Sequence, residues 1–345
     1  MKIAILSEQK CKILAPWYNT VKACEREFSS ASVSPSSLVY FNSSIRDLNT
    51  YIWRINSIIR KYVSRRSHCP ICGVEDYSLL KQVAAMRPDY CVYIAMGCDD
   101  LYINLETLRR LPVPLIVYCY DTWESLYDRW LYALNEIHPL HIFMAYKKSV
   151  DYFSNVFEGN VHFLPQSYDN HYFMDYGLDK TRLFMQMGRQ VPSLHKFANN
   201  YLTKKHIDNI DANYLYPRSK SLIAQTMVQL ARNINSTYFF FAAPQNMHNG
   251  QFTGGISEVT ARFYEAMACK SMIVGYKPID SFDALFPHET AMIQLSSCSD
   301  EFIDKIDWWK NHPNEYNDVV DYNYEYVRKY HCLEQRYYRM LHFLS

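Results

Sequence analysis

Residues 254–269, which read Gly-Gly-Ile-Ser-Glu-Val-Thr-Ala-Arg-Phe-Tyr-Glu-Ala-Met-Ala-Cys, are the most informative segment of this sequence. A Gly-Gly turn follows an apolar strand pattern and leads into an amphipathic helix, predicted from about Glu258 to Cys269. Free backbone N–H groups and the positive dipole end at a helix start bind phosphate. Thr260 adds a hydroxyl donor, and Arg262 adds a permanent positive charge. The segment therefore predicts an anion site.

Two glutamates in this segment, Glu258 and Glu265, are seven positions apart. On one helix they would lie two turns apart on the same face. A carboxylate is poorly suited to phosphate, but it accepts hydrogen bonds from vicinal sugar hydroxyls. The same pattern also fits a surface helix with solvated charges and Ser257 as its N-cap. The residues alone leave both interpretations open.

Short apolar runs alternate with helical patterns along the whole chain, which predicts an α/β fold with parallel sheets and crossover helices. The predicted strands are 2–7, 88–96, 113–120, 142–145, 161–164, 182–187, 237–243 and 272–275. Further helices are predicted over 45–63, 219–233, 299–310 and 313–344. Residues 165–180, rich in turn-forming residue types, indicate an interdomain connection, and 345 residues suffice for two domains.

Composition excludes several classes of protein. Only nine residues are Gly, and neither G-x-G-x-x-G nor the P-loop pattern occurs. A net charge of +1 gives no global field for DNA or RNA, so no nucleic-acid partner is expected. The N-terminus lacks the apolar segment of a signal peptide, and no run approaches the roughly 18 apolar residues of a membrane span. We therefore expect a cytoplasmic protein whose ten cysteines are reduced.

The stretch from Glu258 to Gly275 resembles the donor-binding signature of group-1 glycosyltransferases of the GT-B fold. That signature places two glutamates before a small-residue helix and an apolar strand, and this chain has Glu265-Ala266-Met267-Ala268-Cys269-Lys270 and then Met272-Ile273-Val274-Gly275. Leu164-Pro165-Gln166-Ser167-Tyr168-Asp169 with Phe173 is similar to the interdomain segment of that family, and Met187-Gly188-Arg189 is similar to the first strand end of its second domain.

The resemblance implies a GT-B architecture of two Rossmann-like domains that face a central cleft. Residues 1–168 would form the acceptor domain, 169–325 the donor domain, and 326–345 a helix that crosses back to the first domain. Three departures stand out: six residues separate the glutamates where the family commonly has seven, Lys270 replaces a Gly, and the first strand lacks a Gly-rich loop. The last departure leaves the stereochemistry of transfer open.

The same resemblance implies roles for individual residues. Glu265 would bind the ribose of a nucleotide-sugar donor, while Arg189 and Lys196 would neutralise its pyrophosphate. The remaining donor-site residues that it implies are Gly188, Gly255, Ser257, Glu258, Thr260, Ala261 and Arg262.

Two carboxylates of the first domain are candidate general bases for an inverting reaction. Glu8 and Asp121 follow predicted strands, where ligands of parallel sheets collect. Either residue also fits a cap or a salt-bridge partner. Asp99 and Asp100 are adjacent, which favours a role in a loop or a helix cap. Because the sequence contains no Asp-x-Asp pair, we expect no metal or other cofactor. Cys69-Pro70-Ile71-Cys72 resembles half a zinc ribbon, but no second pair completes four ligands.

The basic helix of residues 45–66 has two interpretations. Its apolar positions Ile45, Leu48, Ile52, Ile55, Ile59 and Tyr62 recur at spacings of three and four. This stripe fits a helix packed on the sheet. Together with Trp53 and the flanking arginines, it also fits peripheral contact with an anionic membrane surface.

The expected function is transfer of a sugar from a UDP-, GDP- or dTDP-sugar to a hydroxyl acceptor, without a metal, in bacterial-type polysaccharide or glycoconjugate synthesis. The acceptor would be a glycan, a lipid-linked molecule or another hydroxyl compound. Alternatives are a nucleotide-sugar epimerase on the same fold and a non-catalytic scaffold that binds a glycan or protein.

Overall fold

The computed structural model describes residues 1–8, 16–31, 36–62, 72–186, 191–205, 223–289, 291–295 and 300–344. The chain divides into two compact units. Unit 1 comprises Met1–Pro165 together with Tyr337–Ser345, and unit 2 comprises Gln166–Arg336. The first division lies within three residues of the boundary expected at 168, and the return to unit 1 begins at Tyr337 instead of residue 326.

Unit 1 contains a six-stranded parallel sheet in the order β2-β1-β3-β4-β5-β6. Its strands are β1 (Ile3–Glu8), β2 (Ser36–Phe41), β3 (Tyr90–Ala95), β4 (Leu115–Cys119), β5 (His141–Met144) and β6 (Asn160–Phe163). Its helices are α1 (Pro16–Ser30), α2 (Ser43–Tyr62), α3 (Tyr77–Met86), α4 (Cys98–Leu108), α5 (Tyr127–Ile137) and α6 (Lys147–Val156), with a 3-10 turn at Glu124–Leu126.

The strand order of unit 1 reverses between β1 and β3, because β2 lies on one side of β1 and the later strands lie on the other. Ligands of parallel sheets bind outside the carboxyl ends of the strands at such a reversal. Strands β3 and β4 are buried almost throughout, which accounts for their continuous apolar sequences.

Unit 2 contains a four-stranded parallel sheet in the order β10-β9-β8-β7. Its strands are β7 (Arg182–Gln186), β8 (Thr237–Ala242), β9 (Met272–Gly275) and β10 (Met292–Gln294). Its helices are α7 (Pro192–Lys205), α8 (Ile223–Asn235), α9 (Asn246–Thr253), α10 (Ala261–Ala268), α11 (Phe282–Leu285), α12 (Asp300–Asn311) and α13 (Pro313–Tyr330).

The last helix, α14 (Leu333–Leu344), begins in unit 2, and its remainder belongs to unit 1. Within unit 1, Tyr337 stacks on Phe28 of α1 with ring centroids 4.7 Å apart. Phe343 contacts His162 at 4.3 Å. Aromatic contacts therefore fix the end of the chain to the first unit.

Three helix predictions need correction. The single helix expected over 313–344 is two helices, interrupted at His331, whose imidazole Nε2 donates to the Leu285 carbonyl at 2.9 Å. The loop expected over 244–257 contains α9. The helix expected from Glu258 begins only at Ala261. Strands β2 and β10 and helices α1, α3, α4, α5, α6, α7 and α11 were not predicted individually.

Candidate functional site

The segment before α10 is extended and buried. Ile256, Ser257, Glu258 and Val259 are all nearly inaccessible, and Thr260 is the N-cap residue with extended backbone angles. Glu258 therefore precedes the helix, and the prediction that Glu258 and Glu265 share one helical face is wrong. The interpretation of Ser257 as the N-cap is also wrong. The physical reason is a set of contacts with a distant loop.

That loop is the turn over 279–281. Ser257 N donates to Asp280 Oδ2 at 2.6 Å, and Asp280 N donates back to the Ser257 carbonyl at 3.1 Å. The Ser281 hydroxyl donates to Glu258 Oε2. Glu258 is only 2% exposed, so its carboxylate braces the loop. The structure thus places the predicted donor residues Ser257 and Glu258 in the interior, while Gly255 is exposed.

The N-terminus of α10 has a partner that the sequence did not indicate. Gln166 is buried, and its Oε1 accepts a hydrogen bond from Ala261 N at 3.0 Å. The Gln166 carbonyl in turn accepts a bond from Arg336 Nη2 at 2.9 Å. An uncharged side-chain oxygen therefore lies where the helix dipole favours an anion. Signals for this contact were absent from the sequence because 95 residues separate its partners.

The predicted site residues Thr260, Ala261, Arg262 and Glu265 lie together on the first turns of α10 and its cap, each half-buried. Lys196 lies on α7 with an exposed side chain. Gly188 and Arg189 lie outside the described residues. The structure therefore joins four of the predicted donor residues on one short helix.

Glu265 has an unusual protonation equilibrium. Burial penalises its charged form and raises the pKa of its carboxyl to about 7, against an opposing effect of Arg262 and with a further increase from Asp169. Near neutral pH, Glu265 is present both as a carboxylate and as a carboxylic acid. It can accept or donate a hydrogen bond to a hydroxyl group of a ligand.

Lys270, which stands where the related signature has Gly, adopts a left-handed backbone conformation with φ of 53°. Its Nζ contacts Asp175 Oδ2 at 3.0 Å and Asp321 Oδ1 at 2.8 Å. Its carbonyl accepts a hydrogen bond from Lys180 Nζ at 2.6 Å. The lysine therefore combines a strained backbone with two ion pairs that a glycine cannot make.

This arrangement predicts different stabilities for two substitutions of Lys270. Lys270→Ala loses both ion pairs and keeps the strain, so we expect it to lower the free energy of unfolding by about 1 kcal/mol. Lys270→Gly also loses the pairs but relieves the strain, so its stability should lie closer to that of the unmodified chain. Urea denaturation of both variants measures the difference. Equal destabilisation by Ala and Gly would contradict the strain at this position.

In unit 1, the carboxyl ends of β1 and β3 carry a cluster of charged side chains. Glu8 Oε1 contacts Arg46 Nη2 of α2 at 2.6 Å. Asp100 caps α4 by accepting bonds from Met96 N at 3.0 Å and Gly97 N at 3.3 Å, as the Asp99-Asp100 pair predicted. Burial, with the nearby Glu8 charge, raises the pKa of Asp100 to about 7.

The two predicted bases have partners of different kinds. Glu8 pairs with a guanidinium, whereas Asp121 Oδ1 accepts a hydrogen bond from the Tyr146 hydroxyl at 3.1 Å. Asp100, which sequence reasoning assigned only to capping, is the carboxylate whose pKa lies near neutrality. All three lie at the edge of unit 1 where parallel sheets bind ligands.

Across the described residues, no group of three or more His, Cys, Asp or Glu side chains is arranged to hold a metal ion. Of the half zinc ribbon, Cys72 is an exposed free cysteine, and His68, Cys69 and Ile71 lie outside the described residues. Among the described helices, none is both long enough and apolar enough to cross a membrane.

Comparisons with known proteins agree with this geometry. Residues 192–342 match a family described as glycosyl transferase-like. No curated protein matches the chain in sequence.

Three solved structures show the same fold at very low identity. TarM has 10% identity and a TM-score of 0.60, and the match covers 100% of this chain and 98% of TarM. Anabaena Alr3699/HepE in complex with UDP-glucose has 11% identity and a TM-score of 0.56, over 100% and 99% of the two chains. UDP-GlcNAc 2-epimerase from Neisseria meningitidis, bound to UDP-GlcNAc, has 8% identity and a TM-score of 0.53, over 100% and 99%. The predicted GT-B fold is confirmed.

Proposed function

We propose that this chain, which has the GT-B fold, is a glycosyltransferase that transfers a sugar from a nucleoside diphosphate donor to a hydroxyl acceptor. Unit 2 would bind the donor, and the carboxyl edge of unit 1 would bind the acceptor. The acceptor would be a glycan or a lipid-linked molecule, and the reaction would be a step of polysaccharide or glycoconjugate synthesis. We also propose peripheral contact with a membrane through the basic helix α2, on which Leu48 and Ile58 are exposed.

One observation carries this proposal: Thr260, Ala261, Arg262 and Glu265 lie together on the start of α10. A helix N-terminus beside a guanidinium is suited to phosphate, and a half-buried carboxyl is suited to ribose hydroxyls. The two complexes of neighbouring folds with UDP-glucose and UDP-GlcNAc support a UDP-linked donor, with GDP- and dTDP-sugars as the alternatives.

Transfer breaks the bond between the anomeric carbon and the diphosphate oxygen and forms a bond from the acceptor oxygen to that carbon. In an inverting reaction the proton of the acceptor hydroxyl passes to a carboxylate of unit 1, for which Glu8 and Asp121 are the candidates, and the leaving diphosphate oxygen gains negative charge.

We propose that Arg262 and the α10 N-terminus stabilise this charge, together with Lys196 and Arg189, and that no metal is needed. The hydrogen bond from Ala261 N to Gln166 Oε1 would then break, and Ala261 N would donate to a phosphate oxygen instead. The sequence has no Asp-x-Asp pair, which supports charge neutralisation by these cations.

A nucleotide-binding measurement tests the donor site. In Arg262→Ala we expect the affinity for UDP to fall by about ten- to a hundred-fold, because a charge-assisted contact to phosphate is lost. Calorimetry with UDP measures the change, and a thermal-shift series with UDP, GDP and dTDP ranks the nucleotides. Arg328→Ala, an exposed arginine of the same unit, is the matched control. Unchanged UDP affinity in Arg262→Ala would overturn the assignment of this site.

The epimerase structure among the neighbours supports a second candidate function, epimerisation of a nucleotide sugar. Product analysis with donor alone separates the two reactions, since an epimerase needs no acceptor. Formation of a sugar epimer without nucleotide release would replace transfer by epimerisation. Absence of nucleotide binding and turnover across all donors and acceptors would favour a scaffold.

A further inference from the structure

Unit 1 contains a small cavity between helices α2, α4 and α5. Its volume is about 80 Å³, and its wall combines aromatic, carboxylate and guanidinium side chains. The side chains that define its chemistry are Trp53 of α2, Tyr102, Glu106 and Arg109 on or just after α4, and Tyr132 and Glu136 of α5. None of these residues belongs to the candidate donor site or to the charged cluster of Glu8, Arg46 and Asp100.

The cavity is distant from the edge of unit 1 to which the acceptor is assigned. Asp100 lies in the first turn of α4, directly after the carboxyl end of β3, and the helix runs away from that edge. Glu106 and Arg109 follow six and nine residues later, which places them roughly 9 to 14 Å further along at about 1.5 Å per residue. The cavity is therefore a second site within the same unit.

Hydrogen-bonding groups of two opposite kinds line the cavity. The Trp53 indole N–H, which can only donate, is buried and makes no hydrogen bond to any described residue. The ionised Glu136 carboxyl can only accept, and no contact within the described ranges pairs it with a donor. Glu106 differs, because it forms an ion pair with Arg109. A buried donor without an acceptor is costly, so a ligand that satisfies it gains stability.

A hydroxyl group fits this pair of groups better than a charged group does. An ammonium group offers no acceptor for the Trp53 N–H, and a phosphate group has the same sign of charge as Glu136. A hydroxyl group accepts from the indole and donates to the carboxylate. The volume of about 80 Å³ equals that of roughly three molecules of liquid water, so it admits a few hydroxyl-bearing carbons and excludes a nucleotide.

Two tyrosine rings give the cavity an aromatic side. The rings of Tyr102 and Tyr132 are nearly parallel, at 7°, with centroids 6.0 Å apart. Tyr102 is held in place because its hydroxyl donates to the Arg129 carbonyl at 3.0 Å. Sites that combine flat apolar rings with a few placed polar groups bind small ligands in a fixed orientation. A sugar unit offers both surfaces, since its C–H groups pack on rings and its hydroxyls form hydrogen bonds.

We propose that this cavity binds one sugar unit of a glycan. The Trp53 N–H donates to a hydroxyl oxygen of the sugar, and Glu136 accepts from a hydroxyl of the same unit. Binding needs neither a nucleotide nor transfer. The use of the site rests on the proposed transfer to a glycan, because a sugar unit held in the cavity keeps that glycan on unit 1 between rounds of transfer.

The Trp53 N–H gives a direct readout in the full chain. ¹H–¹⁵N NMR records the indole N–H signals of the six tryptophans, and the signal that disappears in Trp53→Phe is that of Trp53. The probes are the methyl glycosides of glucose, galactose, mannose and N-acetylglucosamine. We expect at least one of them to shift the Trp53 signal, because its N–H gains a hydrogen bond, with a dissociation constant of about 1 mM.

Two substitutions remove the donor and the acceptor separately. Trp53→Phe keeps an aromatic ring and should weaken glycoside binding, measured by saturation-transfer NMR, by about three- to ten-fold. Glu136→Gln should weaken it by about ten-fold or more, because a bond to a charged group is lost. The matched controls are Glu158→Gln at an exposed position of unit 1 and Trp308→Phe at a 46% exposed tryptophan of unit 2.

Both controls should bind the glycoside like the unmodified chain. UDP affinity should stay unchanged in all four variants, so that a failure of the donor-site proposal is detected separately. Three results would overturn the sugar site. The first is a Trp53 signal that no glycoside shifts at about 50 mM, well above the expected dissociation constant. The second is equal weakening in the controls and in the cavity variants. The third is a shift with tetramethylammonium or inorganic phosphate but with no glycoside.

Discussion

Gly275→Ala should unfold unit 2 at a much lower urea concentration than the unmodified chain. An ideal Cβ at this position would lie 1.9 Å from the Ala242 carbonyl oxygen, far inside van der Waals contact. The neighbouring atom belongs to the backbone of β8, which pairs with β9 at this residue and cannot move as a side chain does. Gly275 also has φ of +154°, which residues with a Cβ rarely adopt. We expect a loss of about 3 kcal/mol or more in the free energy of unfolding.

A second glycine gives the matched control for Gly275→Ala. Gly250 lies in α9, and its added Cβ would meet nothing within 4 Å. Gly250→Ala should be neutral or stabilise the protein by up to about 1 kcal/mol, because alanine has the higher helix propensity. Urea denaturation followed by circular dichroism compares the two. An unfolding midpoint of Gly275→Ala equal to that of the unmodified chain would contradict the close approach of β8 and β9.

Glu265→Gln should change both the pH dependence of stability and the affinity for the donor. In the folded chain, burial raises the pKa of Glu265 to about 7 from its ordinary value of 4.5. Between these values the folded state keeps a proton that the unfolded state has released. Stability therefore falls as pH rises from about 4.5 through 7, by at most about 3 kcal/mol from this group.

Glu265→Gln removes the titrating carboxyl group and with it the contribution of this group to the fall in stability. Between about pH 5 and about pH 8, we expect the free energy of unfolding of Glu265→Gln to fall less steeply than that of the unmodified chain. The contribution of Asp100 to the pH dependence remains in both. UDP affinity should drop by about ten-fold or more, since a bond to a charged group becomes a neutral one. Glu325→Gln, at an exposed glutamate of unit 2, is the control and should leave both properties unchanged. Identical pH slopes in Glu265→Gln and the unmodified chain would contradict the raised pKa.

Much of the fold was predictable from local sequence. Buried parallel strands such as β3 and β4 have continuous apolar sequences, so the alternation of strands and helices identified both sheets. The strands that were missed are less distinct: β2 has several partly exposed positions, and β10 has three residues. The break at His331 depends on its bond to Leu285, a contact across 46 residues that local patterns do not contain.

The candidate donor site was predicted in its residue types but not in its arrangement. Arg262 and Glu265 lie on α10 as expected. Glu258 does not, because its contact with Ser281 and the bond between Ser257 and Asp280 keep the preceding residues extended. Gln166 at the helix start could not be anticipated, since its contact with Ala261 is a tertiary one.

The sequence by itself determined the α/β class, most strands of the two sheets and the short helix that carries the candidate donor-site residues, because strand and helix periodicities are local properties. The tertiary structure alone decided which side of α2 is buried. Apolar periodicity left two interpretations of this helix open, packing on the sheet and contact with a membrane. In the structure, Ile45, Ile52, Ile55 and Ile59 of the stripe are half-buried and Leu48 is exposed, while Asn49 is buried and binds both polar groups of Val74. Local periodicity does not contain that contact, because its partners are 25 residues apart and a buried amide needs them both.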